Sequence, residues 1–69
     1  MADSVYKVIE IVGTSSESWE MAAQTAITRA SKSLRDIRIA EVVQQDVHVE
    51  DGTISQYRVR LNISFRFDD

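Results

Sequence analysis

Val5-Tyr6-Lys7-Val8-Ile9-Glu10-Ile11-Val12-Gly13-Thr14-Ser15-Ser16-Glu17-Ser18 is the stretch on which the fold turns. Its first eight residues are mostly β-branched or aromatic, broken by Lys7 and Glu10, and read as a strand from Val5 to Val12. Gly13 is read as its end. Thr14 and Glu17 stand three apart, the spacing at which a Thr hydroxyl accepts an early helix N–H while a Glu reaches back to the cap. Ser15 or Ser16 is an equally good cap, so a helix is expected to begin within two residues of this point.

Working outward, Trp19, Ala22, Ala23, Ala26, Ile27, Ala30 and Leu34 recur at steps of three and four. That is one apolar stripe on a helix of about 18 residues. Four alanines in the stripe let such a helix lie close to a sheet, and Arg29, Lys32 and Arg35 fall where cations favour the helix dipole. Ile37 to Glu50 and Thr53 to Phe67 then read as two long strands joined by Asp51-Gly52, a two-residue hairpin signal. In the last strand Tyr57, Val59, Leu61, Ile63, Phe65 and Phe67 alternate with Gln56, Arg58, Arg60, Asn62, Ser64 and Arg66, so one face is apolar and the other polar. The order β-α-β-β places the first strand beside the last. The expectation is an α+β fold, a three-stranded antiparallel sheet wrapped around one helix, with residues 1–69 as a single domain.

The chain has 69 residues, no cysteine, one histidine and a formal charge of −3. A core of this size supplies only about 3–5 kcal/mol unaided, so small folds add disulfides, a metal, cyclisation or oligomerisation. Disulfides and thiolate metal sites are excluded, and one His cannot build a zinc site. Self-association is the remaining staple, and strands of about 14 residues, too long for one helix to cover, point the same way. No apolar leader or membrane-spanning stretch is present, so a soluble cytoplasmic protein is expected. The acidic balance disfavours nucleic acid and favours cations.

Asp46, His48 and Glu50 occupy alternate positions of one strand, so their side chains emerge together. An Asp–His pair can orient an imidazole, but no nucleophile stands in a recognisable context, and an enzyme is not expected. Asp46 and Glu50, with Glu41, Gln44 and Gln45 nearby, offer hard oxygen ligands. Calcium requires six to eight such oxygens, so one strand would have to share the ion across a symmetry axis. The alternative is an ordinary solvated acidic face. Arg58, Arg60 and Arg66 share one face and either clamp a phosphate-bearing ligand or pair with Asp46, Glu41 and Glu50. Trp19 lies on the helical stripe and is expected in the core or an interface.

From Val5 to Phe67 the chain resembles the dodecins, small proteins that assemble as hollow twelve-subunit shells. Flavin-binding dodecins carry a Trp after the helix in a Trp-Phe/Ala-Glu-Val run, where this chain has Ile39-Ala40-Glu41-Val42. They carry a flavin-contacting Gln beside a Tyr on the last strand, where this chain has Arg58 beside Tyr57. Ser18-Trp19-Glu20, Asp36-Ile37-Arg38-Ile39-Ala40 and Gln45-Asp46 are similar to the subgroup called calcium dodecin. The resemblance implies a homododecamer that binds a small ligand, with the flavin positions Ile39 and Arg58 both substituted. It makes calcium the expected ligand, flavin the disfavoured one, and Asp46 and Glu50 the candidate metal ligands.

Overall fold

The computed structural model describes residues 3–66. They form β1 (Tyr6–Ser15), α1 (Trp19–Ala30), β2 (Ile37–Glu50) and β3 (Thr53–Arg66). The sheet is antiparallel throughout, in the order β1-β3-β2. This is the expected α+β architecture, with β2 bounded by the residues read from the sequence. Phe67, expected to close the last strand, lies outside the described residues. Asp51 and Gly52 both take positive φ, 51° and 73°, the backbone that lets a two-residue turn match the twist of the paired strands.

Two expectations about the first half are corrected. Gly13 does not end β1: the strand runs on to Ser15, pairing Thr14 with Arg58 and Ser15 with Tyr57. A Cβ on Gly13 would lie 2.1 Å from the Ala22 carbonyl oxygen and 2.9 Å from the Ala26 methyl. Glycine is there for space: the helix backbone rests directly on the strand. Because long-range pairing takes up Thr14 and Ser15, the capping falls to Ser18, whose Oγ accepts from the Met21 N–H at 3.0 Å. The Thr14–Glu17 capping box is not formed.

The helix is also shorter than expected, 12 residues rather than about 18. Ser31 closes it, turning its hydroxyl back to the Ile27 carbonyl at 2.8 Å, a bond that competes with helix propagation. Leu34 keeps its place in the apolar period because its N–H still reaches the Ala30 carbonyl, at 2.9 Å. Asp36, at φ 55°, then reverses the chain into β2, a conformation short polar side chains tolerate.

The packed core is small: Ala22 and Ala26 from α1 against Val59, Leu61 and Ile63 from β3, flanked by half-buried Ile9, Ile11, Ile27 and Ile37. The helix lies over β1 and β3 and leaves most of β2 uncovered, so Val42 and Val49, and Ile54 opposite Val49 at the hairpin end of β3, remain about half exposed. The result is a slender body of 54 × 20 × 15 Å with a radius of gyration of 14.3 Å, against about 11 Å for a compact domain of this length. No helix among the described residues is long and apolar enough to cross a membrane.

The two glycines make opposite demands, which substitution separates. Gly13→Ala must push α1 off the sheet, and we expect it to cost the upper end of about 1–3 kcal/mol or more. Gly52→Ala meets nothing within 4 Å and should cost only the left-handed backbone penalty of roughly 1–2 kcal/mol. Guanidinium unfolding at matched protein concentration, followed by circular dichroism, measures both. A Gly13→Ala protein as stable as the parent would mean the helix does not sit this close.

Candidate functional site

Directly opposed residues share a face of the sheet, so the register sorts every strand residue. Tyr57, Val59, Leu61, Ile63 and Phe65 face the helix, as do their partners Val47, Gln45, Val42, Ala40 and Ile37. The other face carries Arg58, Arg60, Asn62 and Ser64 of β3, flanked by Asp46, Gln44, Glu41 and Ile39 of β2 and by Thr14, Val12, Glu10 and Val8 of β1. Bulges make this set. Strict alternation from Asp46 would turn Val42 and Ala40 outward. The unpaired Val43 shifts the register and turns Glu41 and Ile39 outward instead. All four candidate residues, Ile39, Asp46, Glu50 and Arg58, therefore belong to one polar face that the helix does not touch.

Asp46 and Arg58 meet there directly. The guanidinium donates from Nε to Oδ1 at 2.7 Å and from Nη2 to Oδ2 at 3.0 Å, a bidentate geometry. These hydrogen bonds, aided by the charges of Arg58 and Arg60 and opposed by partial desolvation, hold the Asp46 carboxyl below its ordinary 3.8. Because the folded value is depressed, the pair's stabilisation is complete above the ordinary value and is lost as pH falls through the depressed one. The side chains are 43% and 35% exposed, so salt screens the pair. The backbone beneath is pinned separately: Trp19 Nε1 donates to the Asp46 carbonyl at 3.1 Å, and its ring stands edge-on to Tyr57 at 5.1 Å. Trp19 is 37% exposed and stands outside the packed core.

Arg60 pairs with Glu10 of β1, at 3.2 Å, rather than with Glu41 or Glu50. Arg66 reaches the Ser4 hydroxyl at 3.5 Å. The Asp–His arrangement does not form either. His48 Nδ1 lies 2.8 Å from Ser55 Oγ, whose own proton goes to the His48 carbonyl at 3.1 Å. The Ser55 hydroxyl thus bridges the ring and the main chain of His48, and among the described residues no carboxylate orients the imidazole. The Glu10–Arg60 pair had a signal, a lone acid inside an apolar strand. The Trp19 bond had none, since its acceptor is a main-chain oxygen on a distant strand.

The site residues are dispersed within one chain. Ile39 is opposite Ser64 and Arg58 opposite Asp46, a separation of six residues or about 20 Å along β3. Asp46 and Glu50 are four residues apart on β2, about 13 Å. Among the described residues no three His, Asp or Glu side chains come together as a metal cage. One chain alone therefore does not fit a calcium ion with six to eight oxygens at 2.3–2.6 Å. It does not offer a flavin stack at Ile39 either: Ile39 has no ring, and Tyr6, on this face among the described residues, stands on the far strand, paired with Arg66. A groove of about 420 Å³ lies elsewhere, between β1 and the second half of α1, lined by Ile9, Ile11, Thr14, Arg29, Ala30 and Leu34 among others.

Comparison with known proteins gives this geometry a context. The family model for dodecin matches residues 5–68. Calcium dodecin of Mycobacterium tuberculosis is 51% identical over 63 residues, covering 91% of this chain and 89% of that protein. The dodecin of Thermus thermophilus is 38% identical over 65 residues, 94% of each. Among solved structures, the dodecin of Streptomyces coelicolor superposes with a TM-score of 0.94 at 38% identity, covering 100% of this chain and 99% of its own. The crystal structure of the M. tuberculosis calcium dodecin, described as a calcium-chelating antigen with a novel calcium-binding site, gives 0.83 at 52% identity over 94% of this chain and 93% of its own. Dodecins are ligand-binding proteins rather than enzymes. On strand order, helix placement and matched length alike, this chain belongs to the dodecin family.

Proposed function

We propose that the chain assembles in the cytoplasm as a hollow homododecamer that binds or sequesters a small ligand, calcium in preference to flavin, with Asp46 and Glu50 as ligands. The observation that carries the choice of calcium is the 51% identity to calcium dodecin across 91% of the chain. Twelve copies at −3 each would carry −36, a field that gathers cations.

Assembly draws support from the surface. The chain exposes 5254 Å², against about 4,400 Å² for a compact monomer of this mass. Apolar side chains account for much of what is open: Val42, Val49 and Ile54 on the helix-facing side, Val8, Val12 and Ile39 on the other. Assembly also supplies what one chain lacks for calcium, because a symmetry axis brings equivalent carboxylates together. Flavin is disfavoured by chemistry at both family positions. Ile39 has no π-face, and Arg58 offers only donors, two of them already committed to Asp46.

A second reading, a ligand-free structural oligomer, draws on one observation: the charge of Asp46 is already matched by Arg58, bonded to both of its oxygens. Three measurements separate these readings. Light scattering should give one species of about 94 kDa, twelve times 7.8 kDa, and a stable monomer would sink the assembly. Calorimetry in about 0.15 M salt, where the Debye length is near 8 Å, should give a saturable calcium isotherm with at most one ion per chain, weakened by Asp46→Asn. Identical calcium and magnesium titrations, untouched by that change, would hand the case to the ligand-free oligomer. Riboflavin fluorescence should stay unquenched at low micromolar protein, whereas tight quenching would return flavin to first place.

A further inference from the structure

We propose that the end of the β2–β3 hairpin of one copy seats in the groove between β1 and α1 of a second copy, with Val49 and Ile54 against the groove's apolar residues and Asp51 toward Arg29. The inference rests on the assembly reading above and names the surfaces that make one of its contacts.

The hairpin outruns its support within its own chain. β1 stops at Ser15, opposite Tyr57, and α1 begins at Trp19, whose indole bonds the Asp46 carbonyl. Past that level His48–Glu50 and Thr53–Gln56 pair only with each other. A lone two-stranded ribbon is marginal in water without a third strand or a covering layer. This one carries an apolar pair all the same. His48 pairs with Gln56 and Val49 with Ile54, so Ser55 is skipped in the ladder, and its hydroxyl is tied to both the ring and the carbonyl of His48. Strict alternation from Tyr57 would send Ile54 to the polar face. The bulge turns it beside Val49 instead, and the two side chains are 50% and 55% exposed.

The groove offers the complementary chemistry. Half-buried Ile9, Ile11, Ala30 and Leu34 line it, together with Arg29. Among the described residues Arg29 makes no ion pair, and neither does Asp51 at the hairpin tip. An apolar tip with a free acid thus matches an apolar groove with a free cation. The two do not meet within one chain. Ile9 is opposite Ile63, nine residues from Ile54, or about 30 Å along β3. A tip that fills the groove therefore belongs to a second copy. Area agrees: the surface shown beyond that of a compact monomer is roughly 900 Å², close to the ~800 Å² each partner gives to an interface of standard size.

Because the chain has no cysteine, the contact can be read directly. Ser33, which also lines the groove, and Ile54 are both replaced by cysteine in one chain, and the intact oligomer is treated with a short bis-maleimide. Ser33→Cys with Ile54→Cys should give a ladder in multiples of 7.8 kDa on a denaturing gel, and neither replacement alone should. A double-mutant cycle reads the same contact as energy. Arg29→Gln and Asp51→Asn should each raise the protein concentration at half-assembly about tenfold by light scattering, and the double variant should lose no more than the weaker single, as coupled pairs do. Ile54→Ser should weaken assembly and leave the circular dichroism of the chain unchanged. A monomeric wild type overturns the assembly reading and this contact with it. A wild type that assembles, with no ladder and with Arg29→Gln and Ile54→Ser assembling like it, overturns the contact alone. A dimer band from Ser33→Cys by itself means that groove meets groove about a twofold axis, which also overturns it. Should the other variants fail to fold, the cross-link decides: a ladder supports the contact and its absence rejects it.

Discussion

The approach of α1 to β1 at Gly13 is the constraint on which the remainder of the molecule depends. With the Ala22 carbonyl pressed where a side chain would begin, the helix sits low on the sheet and small residues must line its underside. Low placement brings Val59, Leu61 and Ile63 into the core despite so few helical turns above them. It also limits how wide a sheet the helix can roof. A helix this close covers two strands, and the third is left to other arrangements. The small core and the open β2 face follow from one contact.

From that division of faces comes a division of labour. The helix-facing side holds the monomer together through dispersion and apolar burial, which have no directional preference. The opposite side is organised by directed pairs, Asp46–Arg58 and Glu10–Arg60, which tie β3 to each neighbour in turn. Exposed pairs add little to stability, so their value is in fixing which groups stand where. The bulge at Val43 matters for the same reason. One unpaired residue puts Ile39 and Glu41 on the ion-paired face, and the face acquires an apolar end and a charged end.

The half of the fold built from β2 and β3 was legible because its determinants are local. Asp51-Gly52 names its own turn, and period-2 alternation on β3 names its own faces. The first half misled where local signals met distant partners. Gly13 looks like a breaker along the chain, yet its reason for being glycine is a carbonyl on the helix. Thr14 and Ser15 look like caps, yet they are drawn into the ladder by Arg58 and Tyr57. Leu34 kept the helical period because the turn after Ala30 still makes one helix-like bond. At the site, a charge pair between the arginine face and the acids was readable as a type, and Asp46–Arg58 is one. The distance separating Ile39 from Arg58, and Asp46 from Glu50, was not readable, since it depends on register and bulges rather than on residue type.

The two outer strands leave unequal edges. β1 pairs with β3 from Tyr6 to Ser15 without a register shift, whereas β2 is interrupted at Arg38 and again at Val43. Interruptions twist a strand and spoil it as a template for a further chain. A single chain therefore offers one regular backbone rail and one broken one. Runaway strand stacking needs a regular rail on both sides of every copy. With only β1 continuous, and Lys7 and Glu10 placed along it, two chains can join edge to edge but a third has no equivalent rail to follow. The irregular strand acts as a chain terminator for edge-to-edge misassembly.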